Sequence, residues 1–190
     1  MGLFDILTGK RKLARPAPDR LFAMSTANIT FETELGLRTA GRAGIVFQAL
    51  ATADFDQLVR DMVEVVQGIS EDSDTEVTSQ DDDYGYRWIV LGDKDFDDLV
   101  VGINAVSGAI EAGGYGDRLL CAVFAFENSA GRPLYFIYNY KRGSFYPFVP
   151  SGGAQQRDSE SELRLKAQIG AELPIEPELE RWFPLWGIPI

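Results

Sequence analysis

Histidine is absent from all 190 residues, and with it go the commonest general base, every triad built on imidazole and the usual zinc shells. A single cysteine, Cys121, rules out an intramolecular disulfide or a thiolate cluster from one chain. That fits a reducing compartment. Within the apolar run 119–124, Cys121 reads as a small buried hydrophobe and not as a reactive thiol. No apolar run approaches the roughly 20 residues a membrane-spanning helix requires. Residues 1–7 place apolar side chains ahead of the basic ones, the reverse of a secretory leader, and Ile6 stands where a myristoylation signal wants Ser or Thr. The expected location is therefore the cytoplasm. Basic charge is scarce as well: 18 Lys and Arg face 29 Asp and Glu, a net charge of −11. Such a surface repels phosphate backbones, so nucleic acid is excluded as a ligand of the body. The same acidity would suit a salty cytoplasm, and net charge alone leaves that open.

Phosphate-cradling loops are missing too. No G-x-x-x-x-G-K-[ST] occurs, and Gly113-Gly114-Tyr115-Gly116 follows a helical pattern, so it reads as a helix stop and turn. Residues 72–76 begin like a calcium loop, but Val77 stands at the glycine position and Asp83 at the twelfth. Asp81-Asp82-Asp83 reads as a solvated acidic turn. Among 29 carboxyls a glycosidase-like acid and base pair stays open, yet nothing singles one out. The expectation is a chain with no catalytic residue, no metal and no cofactor.

What is present is an ordinary globular composition, 45% hydrophobic and 12% aromatic, in a length that suits one domain. Residues 1–18 read as an arm, with Leu3, Phe4, Ile6 and Leu7 followed by Lys10, Arg11, Lys12 and Arg15. An apolar tip beside four positive charges suits the anionic inner leaflet or an acidic partner groove; a short helix docked on the domain's own surface is the alternative. Residues 19–190 read as a single α+β domain that includes an aromatic tail, 174–190.

Within that domain, a short helical piece at Leu21 to Met24 is followed by alternation of Ile29, Phe31 and Thr33 with Thr30, Glu32 and Glu34, which predicts a strand over 27–35. A second strand is expected over 43–49, joined to the first through an irregular hairpin. Phe55, Leu58, Val59, Met62, Val63 and Val66 form one stripe at the 3.6 period, a helix with Asp54 capping its first turn and Gly68 as its stop. Two strands follow, near Val77 and through Tyr86, Trp88 and Val90. The spacing of Phe96, Leu99, Val100, Ile103, Val106, Ser107 and Ile110 predicts a helix over 95–112. Strands over 118–127, 133–141 and 144–149, joined by short turns, must be antiparallel neighbours. Ser159 and Glu162 have capping-box spacing before a last helix ending near Ile169. The expected order is ββαββαβββα plus tail: an antiparallel sheet with helices packed on one face.

Aromatic density stands out in the last third. Leu134, Phe136, Tyr138 and Tyr140 share one strand face, and Tyr135, Ile137 and Asn139 the other. One face is core. The other, with Phe145, Tyr146, Phe148, Trp182, Phe183 and Trp186, is either covered by the tail or offered to a partner together with Lys141 and Arg142 at the hairpin tip.

Three segments together resemble a known family: Met1-Gly2-Leu3-Phe4-Asp5-Ile6-Leu7 with its basic follow-up, the hairpin Tyr140-Lys141-Arg142-Gly143-Ser144-Phe145-Tyr146-Pro147-Phe148, and the closing Glu180-Arg181-Trp182-Phe183-Pro184-Leu185-Trp186-Gly187. In that order they are similar to the PspA-associated protein PspAB family, over nearly the whole chain. The resemblance implies a cytoplasmic accessory of the phage-shock response to envelope stress, in which PspA, a coiled-coil protein related to the ESCRT-III group, protects the inner membrane. It brings no catalytic residues. The candidate partner-binding residues are then Leu3, Phe4, Ile6, Leu7, Lys10, Arg11 and Lys12 of the arm, Tyr140, Lys141, Arg142, Phe145, Tyr146 and Phe148 of the hairpin, and Trp182 and Trp186 of the tail. A secretion-chaperone-like module that binds an extended client segment is the alternative, and a carboxylate-dependent enzyme the third reading.

Overall fold

The computed structural model describes residues 18–69, 75–152 and 155–190. The arm residues Leu3, Phe4, Ile6, Leu7, Lys10, Arg11 and Lys12, and the first half of the calcium-like segment, lie outside the described residues.

Two helices open the described chain, α1 (Pro18–Leu21) and α2 (Ala23–Glu34). The strand expected over 27–35 is therefore a helix. Its buried residues are Met24, Ala27 and Phe31, at i, i+3 and i+7, while Ile29, which carried the apparent alternation, is 64% exposed. Two of its threonines are satisfied: Thr33 Oγ1 donates to the Ile29 carbonyl, 2.8 Å, and Thr30 Oγ1 to the Glu172 carboxylate, 2.7 Å. The helix stops at Gly36, φ +63°, where Leu37 N donates back to the Phe31 carbonyl, 2.9 Å.

One long strand, β1 (Arg38–Gln48), replaces the expected hairpin. It starts five residues before the predicted strand because residues 39–43 form an irregularity in the ladder. Gly41 makes it feasible: its φ is +67°, and a Cβ there would lie 2.9 Å from the Asp93 carbonyl oxygen. Next come α3 (Ala53–Ile69), the hairpin β2 (Glu76–Asp81) and β3 (Tyr86–Gly92), α4 (Phe96–Ala112), the meander β4 (Leu119–Glu127), β5 (Pro133–Asn139) and β6 (Ser144–Phe148), and α5 (Ser159–Ile169). The caps of α3 and α5 differ from expectation by one or two residues. Thr52 Oγ1, not Asp54, accepts from Phe55 N, 3.4 Å. Asp158, not Ser159, accepts from Ser161 N, 3.0 Å, which frees Glu162 to turn inward. Asp95 caps α4 through the Asp97 amide, 2.9 Å, as the spacing requires.

All six strands join one antiparallel sheet in the order β2-β3-β1-β4-β5-β6. The fold is α+β, as expected, with the first predicted strand removed. Period-2 alternation sorts the strands into two cores. Toward the helices point Ile45, Phe47, Ile89, Leu91, Phe124, Phe126, Phe136 and Tyr138, packed against α2, α3 and α4. Toward the other face point Val46, Trp88, Val90, Cys121, Val123, Ile137, Tyr146 and Phe148.

The tail covers part of that second face. After α5 the chain runs along the outer edge of β6, where Phe145 N donates to the Pro174 carbonyl and Glu176 N donates to the Phe145 carbonyl, each 2.8 Å. It then crosses onto the sheet, where Trp182, Leu185, Trp186, Ile188 and Ile190 complete the second core. Close approach is possible because Gly44 has no side chain: a Cβ there would sit 3.2 Å from the Trp88 ring and 3.4 Å from Ile190.

Candidate functional site

Trp182 is 4% exposed. Its ring stacks on Tyr146 with centroids 6.2 Å apart, its Nε1 donates to the Glu176 carbonyl at 3.0 Å, and the Lys166 ammonium lies 5.6 Å from the ring centroid. Its own carbonyl accepts from Arg157 Nη1, 2.7 Å. Arg157 also donates to the buried Glu162 carboxylate, which in turn accepts from Val149 N at 2.9 Å. One arginine thus ties α5, the end of β6 and the tail together. Tyr146 Oη donates to the Phe183 carbonyl, 3.0 Å, and Phe148 meets Trp186 edge to face at 5.1 Å.

These contacts revise the reading of the aromatic hairpin. Tyr140, Phe145, Tyr146, Phe148 and Trp182 are buried in their own chain, at 0–4% exposure, and so present no ring to a partner in this conformation. Tyr140 and Phe145 belong to the helix-side core, and Tyr146, Phe148 and Trp182 to the tail-side core. Lys141 and Arg142 are exposed, as expected at a hairpin tip, and Trp186 is half-buried.

The tail leaves part of the sheet uncovered. Between residues 183–186 and the β2–β3 turn lies a groove of about 410 Å3. Its floor is Val46, Trp88, Cys121 and Tyr146, and its rim carries Tyr84, Tyr86 and Phe183, which are 72%, 36% and 58% exposed. Polar groups at this groove are few. Lys141 reaches it from the β5–β6 turn, and Asn139 Oδ1 is enclosed there with no hydrogen-bond partner. Asp82 is fully engaged: Oδ1 accepts from the amides of Tyr84 and Tyr86, both 2.9 Å, and Oδ2 from Trp88 Nε1, 3.0 Å. The acidic turn is therefore a bracket that aims Trp88 and the two tyrosines. Its neighbour Asp81 pairs with Arg87 at 2.7 Å, which holds the Asp81 carboxyl below its ordinary value. Cys121 lies under the groove, 7% exposed, and burial pushes its thiol up to about 12. The Tyr146 phenol is likewise raised by burial. Among the described residues no three His, Cys, Asp or Glu converge as metal ligands, and no helix is long and apolar enough to cross a membrane.

Tyr84, Tyr86 and Asp82 were not singled out from sequence as partner-binding residues, whereas Phe183 was among the rings expected to be either covered by the tail or offered to a partner. The available signal was one tyrosine inside and one directly after the turn Asp82-Asp83-Tyr84-Gly85, where polar side chains are the norm.

The PspA associated protein B family model matches residues 1–190. The chain belongs to that family. No match was found among curated proteins or among solved structures. Membership in the PspA associated protein B family fits a chain whose three recognisable segments have distinct structural standing: the hairpin is core, the tail lines the groove, and the opening lies outside the described residues.

Proposed function

We propose that this chain is a non-enzymatic, cytoplasmic accessory that docks a PspA-like coiled-coil protein in the aromatic groove of the tail face, as part of a membrane-stress response. The observation that carries the reading is the exposure of Tyr84, Tyr86 and Phe183 around a concavity floored by buried Trp88 and Tyr146. Exposed rings around an apolar hollow are unfavourable in water and are the usual make-up of interface anchors. The enclosed Asn139 acceptor and the Lys141 cation supply a donor-seeking and an acid-seeking point at the same place. The family description supports PspA as the occupant. Residues 1–18, with Lys10, Arg11, Lys12 and Arg15, are the part suited to a peripheral contact with the anionic inner leaflet.

The chaperone-like alternative has one point in its favour, since the groove does lie beside the 134–148 hairpin. Its size favours a few side chains over an extended client, because the tail covers the remainder of that face. Against carboxylate catalysis stands the engagement of Asp82, the groove's one carboxylate, with three N–H donors.

Titration calorimetry with purified PspA from the same genome tests the proposal. The wild-type chain binds, and Tyr84→Ala and Phe183→Ala each weaken binding by roughly tenfold or more, the scale of an interface anchor. Undiminished affinity in both variants, or no binding by the wild type, refutes the reading.

A further inference from the structure

A second cavity, of about 170 Å3, lies on the opposite side of the sheet from the groove, between α4, Leu21 of α1, and Tyr138 and Tyr140 at the end of β5. From α4 come Asn104, Ser107 and Glu111, at i, i+3 and i+7 on one helical face. Gly108 keeps the wall open, since a Cβ there meets nothing within 4 Å.

Its lining is rich in acceptors. Ser107 Oγ gives its hydrogen to the Asn104 carbonyl, 3.0 Å, which leaves its lone pairs for a donor. Tyr140 is 4% exposed, and its hydroxyl interacts with the Ser107 side chain without reaching good hydrogen-bond geometry to any described group. Glu111 forms no ion pair among the described residues, and no described cation lines the cavity. Burial raises the Glu111 carboxyl above its ordinary value.

We infer that this cavity binds a primary alkylammonium group, the terminus of a lysine side chain or of a small aliphatic amine. An ammonium has three donors and no acceptor, which suits the Glu111 carboxylate and the Ser107 and Tyr140 oxygens. An anion would meet Glu111 with nothing to neutralise it, and a neutral alcohol would leave the carboxylate unpaired. The volume equals roughly six water molecules at about 30 Å3 each, room for the charged head and a few methylenes. The net charge of −11 favours a cationic ligand over an anionic one.

The test is a chemical-shift titration of the full chain with n-butylammonium chloride, putrescine and a lysine-containing tripeptide, with n-butanol and tetramethylammonium as the neutral and donor-free controls. Saturable shifts at Glu111, Ser107 and Tyr140 are expected with the primary amines and not with the controls. Glu111→Gln weakens butylammonium binding by roughly tenfold or more, and Tyr140→Phe, which deletes one oxygen from a folded core, by about fivefold. Tighter binding of the tripeptide than of the free amines assigns the site to a lysine-bearing partner, and the reverse order to a small amine. Equal shifts with butanol, unchanged affinity in Glu111→Gln and Tyr140→Phe, or no saturable shift with any amine overturns the inference.

Discussion

Replacing Trp182 with alanine tests whether the tail is structural core or a detachable strap. The indole is 4% exposed, stacked on Tyr146 and bonded to the Glu176 carbonyl. Truncating a buried tryptophan costs about 3–5 kcal/mol, a transfer term plus the cavity left behind. A domain of this length loses about 2–4 °C of Tm per kcal/mol, so the expected fall is about 6–20 °C in one transition. Trp182→Phe keeps a ring against Tyr146 but strips the donor from the buried Glu176 carbonyl, and should cost about 1–3 kcal/mol. Calorimetry and urea unfolding followed by far-ultraviolet dichroism measure both. A loss below about 1 kcal/mol in Trp182→Ala, or a separate early transition of the tail, would refute the claim that the tail folds with the sheet.

Three further outcomes follow from the same geometry. Gly41→Ala places a Cβ 2.9 Å from the Asp93 carbonyl oxygen at φ +67°, so its urea midpoint should drop by the equivalent of about 1–2 kcal/mol or more. Cys121, 7% exposed with its thiol pushed up to about 12, should react with a thiol reagent in native buffer only as fast as the protein opens, and immediately in denaturant. The Asp158 carboxyl is held below its ordinary value by the Ser161 amide and then by the Ser161 hydroxyl. A depressed pKa contributes stability that is full above the unfolded value of about 3.9 and disappears as pH falls through the folded value. Asp158→Asn should therefore flatten the acid limb of stability against pH, while Asp158→Ala should cost about 1 kcal/mol at neutral pH through loss of the cap.

Most of the architecture was legible because burial imposes its period on the sequence. Phe55 to Val66 and Phe96 to Ile110 mark one helical stripe each, and the short turns after Glu127 and Tyr140 force antiparallel neighbours. The 27–35 segment misled for a physical reason. Helix α2 buries a narrow stripe that passes through Ala27, and exposed Ile29 beside Thr30 and Thr33 imitates the alternation of a strand. The groove was harder to read than the fold. Aromatic density at 134–148 and 182–186 is divided between the two cores, and most of those rings are spent on one another. The ones left over come from a turn 50 or more residues upstream and from Phe183, and only the register of Trp88 beside Val46 brings them together.

The tail that completes the core also builds the groove, and this couples stability to recognition. Phe183, Pro184, Leu185 and Trp186 follow Trp182 directly, so unseating the Trp182 indole should loosen their wall even though Tyr146 and Phe148 also hold it. A partner that needs the seated form binds with an apparent Kd equal to its intrinsic Kd divided by the fraction seated. In return it stabilises that form, by about 2.7 kcal/mol at a concentration of 100 Kd. The two kinds of variant therefore separate. Phe183→Ala removes an exposed ring, so it should weaken partner binding and leave Tm nearly unchanged, whereas Trp182→Ala should lower both although Trp182 itself lines no part of the groove. Partner affinity that survives Trp182→Ala while Tm falls would show that the wall formed by residues 183–186 is not where the partner sits.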